Sequence, residues 1–421
     1  MAFVWDQIRT GAWLTAARMR DYATILLIIY AAAVVLWIAL ADGMVDRNNK
    51  PIGTDFSNVY AAGKLTLSGK AAAAYDWQIE HAVEKATFGG RDVPFYGWHY
   101  PPIFLVVAAV LALLPYGWAL ALWMAATLPA YLMTIRAIVP RRMAMIIALA
   151  YPAVFINFGH GQNGFISAAL LGSSLLLLDS RPILSGILIG FLAYKPQFGL
   201  LIPIVLMATG RWAVIAAAGM TVIALCAATA AAFGSKVWLA FLDSTALTRE
   251  IVLEAGSTGW ERIQSIFSAV RMWGGTIEMA YAAQCALTLT VAVALVWVSR
   301  SKSSSHLKSA ALAASTLIAT PYVLDYDLMI LGIALAFFAR HCLEHGFHDY
   351  EISTLSFVWT APLLSRLAGS LADVPLGLMA QVMLFAAVLL RAYRDVRAPQ
   401  PAAAWQTPML HLHGRELRNA E

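Results

Sequence analysis

Apolar runs at 23–41, 183–207, 212–233, 279–299 and 374–390 each approach or exceed the roughly 17–20 residues that cross a bilayer core. Hydrocarbon offers no partner for a free N–H or C=O, so such runs must pair their backbone internally, as helices. The rest of the composition agrees. Only 13% of the 421 residues are charged and mean hydropathy is +0.69, whereas a soluble domain needs roughly 25% charged residues. The expected fold is therefore all-α: a polytopic membrane protein.

Charge placement excludes some functions. The net charge of +5 comes with basic residues at segment ends, such as Arg18, Arg20, Arg300, Lys302, Lys308, Arg391, Arg394 and Arg397. That is the pattern of cytoplasmic loops, and no basic patch interleaved with aromatics points to nucleic acid. Cys226, Cys285 and Cys342 lack metal-ligand spacing and read as small apolar residues. The first apolar run is too long for the core of a cleavable leader and is expected to stay as an anchor.

Residues 1–22, with Trp5, Ile8, Trp13 and Leu14 among charges, are expected to form an interfacial segment. A membrane domain follows over 23–393, with polar loops at 42–100 and 234–276 expected outside and a cytoplasmic tail at 394–421. Within the first loop, 58–67 and 77–87 have helical amphipathic spacing. Further segments at 103–115, 117–138, 143–158, 164–178, 308–320, 326–340 and 353–371 bring the expected crossings to about twelve, with both termini inside. That count places Arg136, Arg141 and Arg142 outside, against the charge rule, and the topology of 136–181 stays open.

Polar residues within this apolar frame are the functional candidates, because an ionisable group at membrane depth costs at least about 2.5–3.5 kcal/mol. Asp55, in Gly53-Thr54-Asp55-Phe56, is either a general base or an N-cap for the helix after it. His99 and Tyr100 precede two prolines suited to a helix start, at the level of an anionic headgroup or an aromatic belt. In Gly159-His160-Gly161-Gln162-Asn163-Gly164, the Gln162 and Asn163 amides either finish a tight turn or bind a ligand. Lys195-Pro196-Gln197 interrupts 183–207, and a lysine there must snorkel, pair or bind an anion. Asp325 and Asp327 follow Thr320-Pro321-Tyr322 between two apolar runs. No metal site and no phosphate-binding Gly-rich loop is visible, and no cofactor is expected.

Taken in order, several elements resemble glycosyltransferase family 87 of the GT-C superfamily, which uses polyprenyl-phosphate sugars. They are Gly53-Thr54-Asp55-Phe56 with Tyr60, Ala61 and Gly63; Tyr75-Asp76; Tyr100-Pro101-Pro102; Gly161-Gln162-Asn163; Gly186 and Gly190 before Lys195-Pro196-Gln197; and Pro321 before Asp325-Tyr326-Asp327. The resemblance implies a GT-C-type bundle that moves a hexose, typically mannose, with inversion. The donor would be a polyprenyl-phosphate sugar, and the acceptor an envelope glycolipid or polysaccharide outside a bacterial plasma membrane. It maps the catalytic role onto Asp55. His99, Lys195, Gln197, Gln162, Asn163 and Tyr100 are then candidates for donor phosphate or sugar contacts, and Tyr322, Asp325 and Asp327 for further donor or acceptor contacts. Many members carry a histidine where this chain has Tyr322. Two other classes compete: a secondary transporter or lipid-linked-sugar flippase, for which Lys195 at mid-segment would mark the transport site, and a non-catalytic subunit of an envelope-assembly complex.

Overall fold

The computed structural model describes residues 2–397; most of the expected tail lies outside them. Among the described residues the fold is entirely helical, without a strand. The helices are α1 (Ala2–Thr10), α2 (Ala16–Ala39), α3 (Phe56–Leu67), α4 (Trp77–Thr87), α5 (Leu105–Leu111), α6 (Tyr116–Ile138), α7 (Arg142–Leu149), α8 (Pro152–His160), α9 (Gly164–Leu177), α10 (Pro182–Phe191), α11 (Ile202–Ala208), α12 (Trp212–Phe233), α13 (Lys236–Thr248), α14 (Ile266–Met272), α15 (Ile277–Arg300), α16 (Ser305–Ile318), α17 (Met329–His345), α18 (Glu351–Ala372) and α19 (Leu376–Arg397). Six are long and apolar enough to cross a membrane: α2, α6, α12, α15, α17 with the short turn before it, and α19. The pair α7 and α8, bent by 51° at Pro152, adds a seventh if it is one broken span. The protein is a multi-pass membrane protein.

Burial sorts these helices. The most apolar stretch of α17 is 83% buried and that of α2 only 6%, so α17 runs through the core and α2 stands at its edge. The amphipathic segments of the 42–100 region form α3 and α4 as expected. Asp76 caps α4 by accepting from the N–H groups of Gln78 and Ile79.

Two expected segments fold differently. The 103–115 run is a short turn followed by the seven-residue α5, packed on α3. A Cβ on Gly63 would lie 2.1 Å from the Ala108 carbonyl oxygen, so the α3–α5 contact needs glycine there. The 183–207 run is not one helix. It breaks at Lys195-Pro196 into α10 and α11, and its two ends meet: Arg211 donates to the Leu178 carbonyl and pairs with Asp179 at 2.6 Å. Proline removes a donor and glycine permits close packing, which together explain this hairpin. A Cβ on Gly186 or Gly190 would lie about 2.5 Å from Val214 or Thr221 of α12, the small-residue contact seen between membrane helices.

The contacts divide the molecule into two ends. At one, the N-terminal segment meets the α17–α18 connection through Arg9–Asp349 and the first turn of α18 through Trp13–Ser353. Arg141 borders a cavity shared with Trp13 and Phe347 at the same end. At the other end, the 42–100 region, the 249–265 loop and the 320–327 segment converge. Tyr116 donates to the Ile52 carbonyl, His99 meets Thr248, and the N–H of Gln264 donates to the Val323 carbonyl.

Candidate active site

A cavity of about 260 Å³ opens at this second end. Its lining includes Asp55, His99, Tyr100, Gln162, Lys195, Gln197, Tyr322, Asp325 and Asp327, nine of the residues singled out from the sequence. The tenth, Asn163, is not among them. It is buried behind the wall, its side-chain amide without a partner among the described residues.

Asp55 sits at the N-cap position of α3 but makes no capping hydrogen bond. Its carboxylate faces the cavity instead. The Gln162 amide donates to Oδ2 at 3.0 Å, and His160 Nδ1 lies 3.6 Å from Oδ1. Gln162 is oriented in turn, since its Oε1 accepts from the Tyr100 hydroxyl and from the Asn163 N–H. Local backbone chemistry aims these groups. Gly161, with φ of +62°, ends α8 in the left-handed conformation. The Gln162 N–H then returns to the Asn157 carbonyl, a Schellman-type cap. That turn puts His160 and Gln162 on either side of Asp55.

A second chain of contacts reaches Asp55 from α18. Arg366 pairs with Asp325 and donates to His160 Nε2 at 2.7 Å. The imidazole thus lies between the Arg366 guanidinium and the Asp55 carboxylate. Its Nδ1 faces Thr54 Oγ1 at 2.6 Å and the Asp55 carboxylate beyond. Burial opposes charge on Asp55. His160, the Gln162 amide and Arg262 outweigh it, holding the acid below the ordinary carboxylate value. Asp55 is therefore ionised at neutral pH.

Lys195 and His99, the expected phosphate contacts, each have a protein partner in this structure. Lys195 is buried and paired with Asp327 at 2.6 Å, and Asp327 also accepts from the Leu324 N–H. Burial pushes His99 down to about 4, with Asp55 opposing, so it is neutral and bonded to Thr248. Among the acids Asp55, Asp325 and Asp327 and the bases Lys195, Arg262 and Arg366 of the lining, Arg262 alone has no side-chain partner among the described residues. Beside Asp55, one helical turn on, Asn58 lines the cavity with its buried carbonyl oxygen unpaired.

His160, Arg262, Arg366 and Asn58 were missed as site residues in the sequence. Arg366 was legible, as a charge inside the apolar 353–371 run. His160 stood in a motif already marked. Arg262 and Asn58 carried no signal, lying in a polar loop and on an ordinary helix face.

The cavity wall has an unusual support. Glu80 and Glu84, one turn apart on α4, are buried and accept from the N–H groups of Trp98 and Tyr96, while the Ser57 hydroxyl donates to Glu84 at 2.5 Å. They grip the extended 95–99 wall from behind and tie it to α3. Burial raises both acids, Glu84 to about 8, and neighbouring acids add to the effect. The folded state thus binds a proton that the unfolded chain releases near its ordinary value of 4.5. The Glu84 contribution to stability should fall as pH rises through the window from about 4.5 to 8 and then level off. Glu84→Gln, which keeps an acceptor for Tyr96, should melt with wild type at pH 4 and above it at pH 9. Parallel melting curves at both pH values would refute this.

Comparison with curated proteins and with solved structures returns no significant match. The model of the family described as "Glycosyltransferase family 87" matches residues 98–322, just over half of the chain. The matched stretch carries His99, Tyr100, His160, Gln162, Lys195, Gln197, Arg262 and Tyr322. It begins after Asp55 and ends before Asp325, which join the cavity through the fold alone. This chain, a multi-pass membrane protein, belongs to glycosyltransferase family 87.

Proposed function

We propose that the protein transfers a hexose, mannose, from a polyprenyl-phosphate donor to an envelope glycolipid or polysaccharide, with inversion. One observation carries the reading: a single cavity holds an ionised, hydrogen-bonded carboxylate, Asp55, and an unpaired cation, Arg262. Asp55 takes the proton of the acceptor hydroxyl as its oxygen attacks the sugar's anomeric carbon. The bond from that carbon to the phosphate oxygen breaks, and its electron pair leaves with the polyprenyl phosphate. Arg262 stabilises the charge that builds on this leaving group. Asn58, Gln197 and Tyr322 are placed to contact sugar or acceptor hydroxyls. Asp325 acts through Arg366 and His160, orienting the imidazole beside Asp55.

The proposed topology follows the two ends. Arg136, Arg141 and Arg142 share the end of Arg9 and Arg18, so the positive-inside rule makes that end cytoplasmic. The cavity, with 42–100 and 234–276, is then on the outer face of a bacterial plasma membrane, and residues 1–22 lie along the inner interface. The chain makes twelve passes. The run at 103–115 is not one of them, and the α10–α11 hairpin supplies two.

The test is transfer of labelled mannose from polyprenyl-phosphate mannose in proteoliposomes supplied with envelope glycolipid. Arg262→Ala should lower kcat/KM for the donor about 10–100-fold, the worth of one charge-assisted hydrogen bond, with part of the loss in kcat because the charge on the leaving group grows in the transition state. No transfer by wild type would overturn the reading, and an unchanged kcat/KM would remove Arg262 from it.

A further inference from the structure

A second cavity, of about 550 Å³, lies at the opposite end of the molecule and belongs to no part of the site described above. Its walls come from the first turns of α2 (Met19, Tyr22, Ala23), from α6 and α7, and from α17 and α18. It exists because α2 packs mainly on α7, with Tyr30 stacked on Phe155 of α8, and stands away from α17. On α17 the lining residues Gly332, Leu335, Ala336, Ala339 and Leu343 share one helical face. From Gly332 to Leu343 that face runs about 16 Å, close to the depth of one leaflet of a core about 30 Å thick. The floor is closed by Tyr151, whose hydroxyl is already satisfied by the Leu328 carbonyl. The wall is almost wholly apolar. Its one charged residue is Arg141, exposed and with no side-chain partner among the described residues.

An apolar slot of leaflet depth with a free guanidinium beside it matches an acyl chain and an anionic head group. We propose that the cavity holds one acyl chain of an anionic phospholipid from the leaflet on the N-terminal side, with the head group's phosphate against Arg141. The complementary charge at Arg141 selects the anionic class, and the length of the α17 face selects a single chain. This site is independent of the transfer chemistry.

The test uses the full chain in a mild detergent. Phosphatidylglycerol and phosphatidylcholine with the same acyl chains are added in equal amounts, and retained lipid is read by native mass spectrometry. Wild type should retain one phosphatidylglycerol, in preference to phosphatidylcholine by up to about fivefold, the upper end for one exposed ion pair. Arg141→Ala should keep a lipid but lose the preference. Ala336→Trp, which fills the slot, should lose the lipid. Ala339→Phe serves the same purpose should the tryptophan variant fail to fold, and thermal unfolding with and without phosphatidylglycerol identifies a folded variant that has lost the lipid-induced rise. Equal retention by folded slot-filling variants, no preference in wild type, or no retained lipid would each overturn the proposal. Displacement of phosphatidylglycerol by an equal amount of polyprenyl phosphate would also overturn it, assigning the slot to the donor's lipid.

Discussion

Asp55→Asn should leave a folded protein whose transfer rate is lower by roughly 10²–10⁴-fold, the usual worth of a general base. Asparagine keeps the size of the side chain and can still accept the Gln162 N–H at the Oδ2 position, so α3 and the Gly161 turn should survive. It cannot take a proton from an attacking hydroxyl. The loss should fall on kcat, because the contacts to Gln162 and His160 position the base and do not hold the donor. Since Asp55 lies below the ordinary carboxylate value, the wild-type rate should not decline on the acid side until the pH is below that ordinary value. The measurement is single-turnover transfer of labelled sugar over a pH series, with thermal unfolding in detergent as the control for folding. A stable Asp55→Asn protein that transfers at the wild-type rate would remove Asp55 as the base.

Much of this arrangement was legible in the sequence because hydropathy and local punctuation are properties of neighbouring residues. The apolar runs, α4 and the Pro-Pro helix start all rest on short-range chemistry, and so does the break at Lys195-Pro196. What the sequence hid is pairing at a distance. The 183–207 run has the length and hydropathy of a single span. Only the meeting of Arg211 with Asp179 shows that its ends lie together. In the same way, 103–115 looks like a membrane segment until Gly63 is seen to bring α3 onto it. Asp55 could be read as a cap or as a base; the absence of a capping bond and the turn at Gly161 decide which way it faces. Asn163 is the one candidate the cavity lining leaves out. It sits in the same motif as Gln162, but one residue beyond the turn its side chain is buried and lines no part of the cavity.

The other large effect concerns Lys195, whose charge drew attention as an anion-binding group. Its ammonium and the Asp327 carboxylate are both buried, at 2.6 Å, with the lysine also over the faces of Tyr326 and Phe198. Removing one partner leaves the other charge in a medium that cannot solvate it. Lys195→Ala or Asp327→Ala should therefore each destabilise the protein by about 3–5 kcal/mol. Replacing both by apolar groups of similar size removes the two desolvation costs together. Lys195→Met combined with Asp327→Leu should recover most of that stability, losing only what the Leu324 N–H forfeits when its acceptor goes. Thermal unfolding of the two single variants and the double variant, as a double-mutant cycle, measures this coupling directly. The same double variant separates two roles for the lysine. If the pair only braces the cavity, the double variant should bind the polyprenyl-phosphate donor with nearly wild-type KM, leaving Arg262 as the phosphate contact. A folded double variant that has lost donor affinity would instead return Lys195 to the phosphate, with Asp327 as the partner it leaves when the donor arrives.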